Sequence, residues 1–234
     1  MTRPRFEQLP ALFIGVHDDP LKMEIMNFSP SDLEHFWPLN PNIARTLPQA
    51  DLRDPLATSE LIAPGAYSSP QTMVDTLSAA GFAQGGLFVT TTERRKVLTG
   101  HVAVRQSPAA PAAELKVHIF EPQARKLAEV ALSTIVRLAA YAQENLNLES
   151  VEADVLDTDQ ILTSAYAKVG FTHIPNARDY DAIACGTYGE EYSHFQTWEL
   201  RHPDAISAST PDNIQQSQHD GWQQYQIVRK FVRW

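Results

Sequence analysis

Residues 114–128, Glu-Leu-Lys-Val-His-Ile-Phe-Glu-Pro-Gln-Ala-Arg-Lys-Leu-Ala, carry the chain from an alternating pattern into a helical one. From Ala113 to Phe120, Leu115, Val117 and Ile119 alternate with Glu114, Lys116, His118 and Phe120, and the spacing predicts a strand with two chemically distinct faces. From Ala124 to Leu146 the residues Leu127, Val130, Ala131, Thr134, Ile135, Leu138 and Tyr141 recur every three or four positions, which predicts a long amphipathic helix with one core face. A helix that begins directly after a strand presents unpaired N–H groups and the positive end of its dipole. The amides of Arg125 to Ala128, helped by the Arg125 and Lys126 side chains, are therefore a candidate diphosphate cradle. An ordinary helix start with basic residues is the competing reading.

Working toward the C-terminus, Val151 to Leu156 predicts a short strand, and Asp157 to Val169 a helix whose first acidic residues suit its dipole. Gly170-Phe171 then leads into another strand. Tyr192 to Leu200 is the next clear strand, and beyond Pro203 a polar run of Ser, Thr, Asn, Gln, Asp and His predicts a flexible connection over 203–221. Residues 222–234 hold enough aromatic side chains, with Arg229, Lys230 and Arg233, to pack back on the rest.

Toward the N-terminus, the third strand joins a hairpin of Gly86 to Thr92 and Val97 to Arg105, reversed at Glu93-Arg-Arg-Lys96. Gln84-Gly85-Gly86 reads as a plain turn before it, since it does not link a strand to a helix as a nucleotide loop would. Gln71 to Ala80 predicts a helix opened by Ser69-Pro70 and stopped by Gly81. Met23 to Phe28 predicts a strand, followed by a short helix from Ser29-Pro30 through Trp37. From Pro38 to Pro70 inclusive stand six prolines and little periodicity, the pattern of one long irregular connection rather than of a second domain. The domain expectation is an N-terminal extension over 1–22, one main domain over 23–202, and the two C-terminal segments already given.

The chain has 234 residues, 43% apolar and 20% charged, enough to bury a full core. Nineteen basic against twenty-eight acidic side chains give a formal charge of -9, which repels polyanions unless a local basic patch intervenes. Arg94-Arg95-Lys96, Arg125-Lys126 and the C-terminal segment are the three candidate patches, each short. One cysteine, Cys185, rules out a disulfide framework and fits a reducing, cytoplasmic setting. The run Leu9 to Val16 is broken by Pro10 and ends in His17-Asp18-Asp19, so neither a signal peptide nor a membrane span is expected. Eight scattered histidines, with no His-Glu-x-x-His and no paired cysteines, argue against a metal site. Neither a Gly-x-Ser-x-Gly elbow nor a phosphate-loop Gly-Lys-Ser/Thr is present.

The order strand, two helices, three-strand meander, strand-loop-helix and strand-helix-strand resembles the GCN5-related N-acetyltransferases (GNAT) over about residues 23–200. Gln123-Ala-Arg-Lys-Leu-Ala128 stands where that superfamily carries Arg/Gln-x-x-Gly-x-Gly/Ala, with Lys126 in place of the usual glycine. Glu114, Pro122 and Tyr166-Ala-Lys-Val-Gly170-Phe171 fit the branch that acetylates ribosomal proteins and other protein N-termini, while Asp159 and Leu162 replace its Asn and Ser. The resemblance implies a mixed α/β fold with a central twisted sheet flanked by helices, and acyl transfer from acetyl-CoA or another acyl-CoA to a small-molecule or peptide amine. It places cofactor contacts at Val117, Ile119, Gln123, Ala124, Arg125, Lys126, Leu127, Ala128 and Asp159.

Acyl transfer to an amine needs the ammonium deprotonated and the thiolate protonated. Under the resemblance Glu114 is the candidate base, Tyr166 the candidate acid beside the sulfur, and His118, on the strand face of Glu114, a second base or substrate contact. Each has a plainer reading: Glu114 as a carboxylate paired with a basic side chain, Tyr166 as a core aromatic, His118 as a surface or satisfied histidine. Lys126 keeps two further functions open. One is a transferase of the same fold with a non-CoA donor such as aminoacyl-tRNA or a carrier-protein thioester, the single case in which nucleic acid is an expected partner. The other is a non-catalytic binding module.

Overall fold

Alternation along residues 112–119 produces a strand buried on both sides, with Ala113, Leu115 and Val117 in the main core and Glu114 and Lys116 on the opposite face. The computed structural model describes residues 12–14, 22–34, 69–90, 96–107, 111–119, 124–146, 148–157, 159–174, 180–186, 189–207 and 210–231. In chain order these form β1 (Leu12–Ile14), β2 (Lys22–Met26), α1 (Pro30–Glu34), α2 (Pro70–Ala79), β3 (Ala83–Thr90), β4 (Lys96–Gln106) and β5 (Ala112–Ile119). There follow α3 (Ala124–Asn145), β6 (Ser150–Leu156), α4 (Gln160–Val169), β7 (Thr172–His173), β8 (Tyr180–Gly186), β9 (Gly189–Arg201), a 3-10 turn (Pro203–Ala205) and α5 (Asp212–Phe231).

The strands make one mixed sheet in the order β1-β2-β3-β4-β5-β6-β9-β7, with β8 also on β9. Every neighbouring pair is antiparallel except β5 and β6. That exception follows from α3, whose 22 residues carry the chain back along the sheet so that β6 starts at the same end as β5. One face receives α3, α4 and Tyr225 of α5, whose Ile135, Leu138, Leu162, Tyr166 and Tyr225 join Val102, Leu115, Ala153 and Leu200 in the main core. On the other face α1 and α2 bring Leu33, Met73, Val74 and Leu77 against Phe28, Phe82, Leu98 and Ala103. The expected mixed α/β fold with a central sheet flanked by helices is thus the fold observed.

Local signals act as expected at several ends. Ser69 caps α2 by accepting the Thr72 N–H at 3.1 Å, with Pro70 at the first helical position, and Gly81 leaves the helix at φ 83°. Gly170 closes α4 at φ 111°. The helix expected from Asp157 starts at Gln160 because Asp159, not Asp157, supplies the cap. The short helix after Ser29 is described to Glu34; the remainder to Trp37, and the connection from Pro38 as far as 68, lie outside the described residues.

Three expectations need correction. Gln84-Gly85-Gly86 is not a turn but part of β3, and its glycines serve close packing: a Cβ on Gly85 would meet Ile25 Cγ2 at 2.6 Å, and one on Gly86 would meet Leu98 Cδ1 at 2.9 Å. Residues 203–207 and 210–221 are not a flexible connection. They form the 3-10 turn and the first half of α5, which continues to Phe231. Its inner face is Ile214, Gln218, Gly221, Tyr225 and Val228, so two of its positions are a glutamine and a glycine, and the apolar period is hidden. Gln218 donates to Glu199 Oε2 at 3.0 Å, and Gly221 lies against the backbone of Gly170. The stretch assigned to an N-terminal extension contains β1, which adds to the sheet beside β2; strand β8 had no counterpart in the sequence reading.

Candidate functional site

Strands β5 and β6 pair in parallel from Ala112↔Ser150 to Leu115↔Ala153 and no further. Yet β5 continues to Ile119 and β6 to Leu156, each held beyond the fork by its outer neighbour alone, β4 for the first and β9 for the second. Backbone N–H and C=O groups on the two facing edges are therefore without ladder partners among the described residues, and such groups call for an occupant or water.

Because β5 and β6 are parallel and each is followed by a helix, α3 and α4 both begin at the end of the sheet where the strands part. Orphan N–H groups of two helices thus point toward one region, the usual place for a ligand in sheets of this kind. Lys126 lies in the first turn of α3, in helical backbone, so the positive φ that glycine permits is not required at this position. At the start of α4 the Asp159 carboxylate is engaged as the cap, accepting from Leu162 N at 3.0 Å.

The sheet face opposite α3 carries a line of charge across four strands. Arg105, Glu114, Glu152 and Glu199 are successive partners in register. Glu114, 8% exposed, takes two bonds from Arg105 on a single oxygen, Oε2: Nε at 3.0 Å and Nη2 at 2.8 Å. Arg105 also donates to Ala80 O at 3.1 Å and lies 4.6 Å above the Phe82 ring. Glu199 is held by Arg201 Nε at 2.9 Å and by Gln218. One register step further, past the last parallel pair, stand Lys116 and Asp154, with Nζ 3.8 Å from Oδ2 across the fork. Thr197 donates to the other oxygen of Asp154 at 2.9 Å.

Tyr166 projects from α4 in the main core, 1% exposed and edge-on to Phe171 at 5.0 Å between ring centroids. Burial, and then the negative charges of Asp154 and Asp159, push its ionisation far above the ordinary phenol range. The phenol thus stays a neutral hydrogen-bond donor close to the Asp154 side of the fork.

The fold brings Glu114, Val117, Asp159, Tyr166 and the α3 start around the parting strands. His118 and Ile119 lie on the part of β5 beyond the fork, His118 opposite His101 in register. Ala124 to Ala128 form the first turn of α3; Gln123 lies outside the described residues. Sequence reasoning passed over the fork, Lys116 and Asp154. Lys116 was visible as a charged residue two positions from Glu114, but that Asp154 stands across from it depends on the register of β6, which no local pattern encodes. Among the described residues no group of three or more His, Cys, Asp or Glu is placed to hold a metal, and no helix is long and apolar enough to cross a membrane.

No protein-family model matches this sequence, and no curated protein does. Solved structures do. A probable acetyltransferase superposes with a TM-score of 0.50 at 16% identity, covering 81% of this chain and 97% of that one. An acetyltransferase of the GNAT family from Bacillus anthracis gives 0.46 at 13% identity, covering 81% and 98%. One from Agrobacterium tumefaciens gives 0.48 at 16%, covering 85% and 98%. At such identities the first of these likenesses is one of fold.

Proposed function

We propose that the protein transfers an acyl group, acetyl by default, from coenzyme A to an amine. The observation that carries this reading is the parting of β5 and β6 above two helix N-termini. An extended donor with amide groups along its arm can pair with an open strand edge, as a peptide does with a sheet. Its diphosphate suits the first backbone amides of α3, Ala124 to Ala128, and Gln123, Arg125 and Lys126 keep the diphosphate role that the sequence resemblance gives them. Val117 and Ile119 line the edge that the arm follows, and Asp159 fixes the start of α4 on the other side. In this pose the thioester lies at the apex of the fork, just past the last parallel pair.

The chemistry then divides among residues near that point. The amine nitrogen attacks the thioester carbon and gives its proton to Glu114 Oε1, the oxygen that Arg105 does not occupy, directly or through water. The C–S bond breaks and sulfur takes the electron pair. Tyr166 donates a hydrogen bond to the departing sulfur; complete transfer from so weak an acid to a thiolate runs uphill, so solvent finally supplies the proton. His118 is a second contact on the acceptor side. The acceptor implied by the sequence resemblance is a small-molecule or peptide amine.

Thermal unfolding with CoA and acetyl-CoA tests donor binding. Ligand at about a hundred times its Kd adds roughly 2.7 kcal/mol, a saturable rise of several degrees for a chain of this size. CoA release with a panel of peptides, amino acids and polyamines then identifies the acceptor. Glu114→Gln and Tyr166→Phe are each expected to lower turnover tenfold or more with folding intact, about 1.4 kcal/mol of transition-state stabilisation. Absence of any shift at millimolar CoA would overturn the reading.

A further inference from the structure

We infer that Lys116 is the group that receives the thioester carbonyl oxygen as it becomes negatively charged. The inference rests on the acyl-transfer reading and assigns that site a residue with no part in it so far.

Position is the first argument. Lys116 is the first residue of β5 past its last parallel partner, so its side chain stands at the apex of the fork, on the face of Glu114. Its ammonium reaches across toward β6, as the approach to Asp154 shows. The apex is where a donor lying along the open edges has its reactive end, with Tyr166 on one side and Glu114 on the other.

Unused bonding capacity is the second. Lys116 is 7% exposed, yet among the described residues its ammonium makes no hydrogen bond. Asp154 Oδ2 at 3.8 Å is an ion-pair partner outside hydrogen-bond range, and Phe82, 5.7 Å from Nζ, offers only its ring face. Thr197 draws Asp154 through its other oxygen. An ammonium has three donors, and Asp154, beyond hydrogen-bond range, takes none of them. Here they are held in place by the strand, compensated in charge but open to an oxygen entering the fork, the arrangement that stabilises charge developing in a transition state.

The step balances without net proton transfer from Lys116. As the C–N bond forms, the carbonyl π pair moves to oxygen, which accepts a hydrogen bond from Nζ; when that pair returns, the C–S bond breaks and sulfur leaves with its electrons. Lys116 keeps its proton throughout.

Carboxymethyl-CoA carries a carboxylate one carbon beyond the position of the thioester carbonyl, a full negative charge at the same end of the arm and within reach of the Lys116 ammonium, and comparing its binding with that of CoA needs no acceptor. By titration calorimetry the unaltered protein should bind carboxymethyl-CoA about tenfold more tightly than CoA. Lys116→Met should abolish that preference and leave CoA affinity within about twofold, and kcat for CoA release with the best amine of the panel should fall at least tenfold with KM for acetyl-CoA little changed. Asp154→Asn, which removes the competing carboxylate and keeps Lys116, should raise the preference, and it serves as the test should Lys116→Met not fold. A preference unchanged in Lys116→Met, or lowered in Asp154→Asn, overturns the assignment. Failure of the unaltered protein to bind either ligand overturns the acyl-transfer reading itself, whereas binding of both with no preference for the carboxylate removes Lys116 alone.

Discussion

His101 is fully buried on β4, with Nε2 3.0 Å from Gln84 Oε1 and Phe28 edge-on at 5.4 Å between centroids. Burial depresses its pKa from 6.5 to about 3, so the folded protein keeps it neutral. The unfolded chain binds a proton below about pH 6.5 while the native state does not, so stability is full above that value and falls as the pH drops from it toward about 3. The loss reaches about 1.4 kcal/mol per pH unit for this one group. Urea unfolding at pH 7.5, 6.0 and 5.0 should show that decline, and His101→Gln should flatten its slope over the same interval whatever its effect at pH 7.5. An unchanged slope would mean that His101 gains access to solvent in the native state. Gln84 completes the anchorage by donating to Val74 O at 3.0 Å and Ser78 Oγ at 3.1 Å, tying α2 to the strands beneath it. Glu114 illustrates a different limit. Its burial and its Arg105 partner are those of a structural ion pair, and breaking such a pair is costly whether or not the carboxylate also moves protons. Activity and stability therefore have to be measured together for every Glu114 variant.

Helix α5 meets the rest of the fold through a glycine pair. A Cβ on Gly221 would lie inside contact with the Gly170 carbonyl oxygen, and one on Gly170 would meet the Gly221 carbonyl in turn. Close approach lets Tyr225 enter the main core, where its hydroxyl has no hydrogen-bond partner among the described residues, and sets Trp222 4.6 Å from His202 and 5.3 Å from Tyr225. Gly221→Ala should cost about 2–3 kcal/mol as overpacking, measured by chemical denaturation, with α5 the first element to lose protection from proteolysis; an alanine variant as stable as the parent would show that the helix shifts without penalty. This element was the least legible from sequence. A polar surface composition and a glycine and glutamine on its inner face disguise its period, and the reason for each lies on a distant strand or helix end. By contrast α2, α3, β4 and β5 were legible because apolar spacing, a Ser-Pro start and a glycine stop are all local. The candidate site divides the same way. Glu114 and the start of α3 follow from neighbours in the chain, whereas the juxtaposition of Lys116 and Asp154 depends on a 22-residue excursion through α3 that sets the register of β6.

At the scale of the whole molecule, a formal charge of -9 coexists with a buried face where acids and bases are arranged in register. The net charge favours approach of cationic molecules at low ionic strength and loses that influence over about 10 Å in ordinary salt, so it shapes encounter rather than chemistry. The parted strands have a consequence in time as well as in space. Amides locked in a sheet exchange their hydrogens with solvent only when the structure opens, while those on an unpartnered edge exchange at once. Along 116–119 and 154–156 the two kinds alternate within a few residues of each other, so deuterium uptake by these segments is a built-in clock for occupancy. A donor seated between the strands would slow the fast half of the clock and leave the slow half running as before.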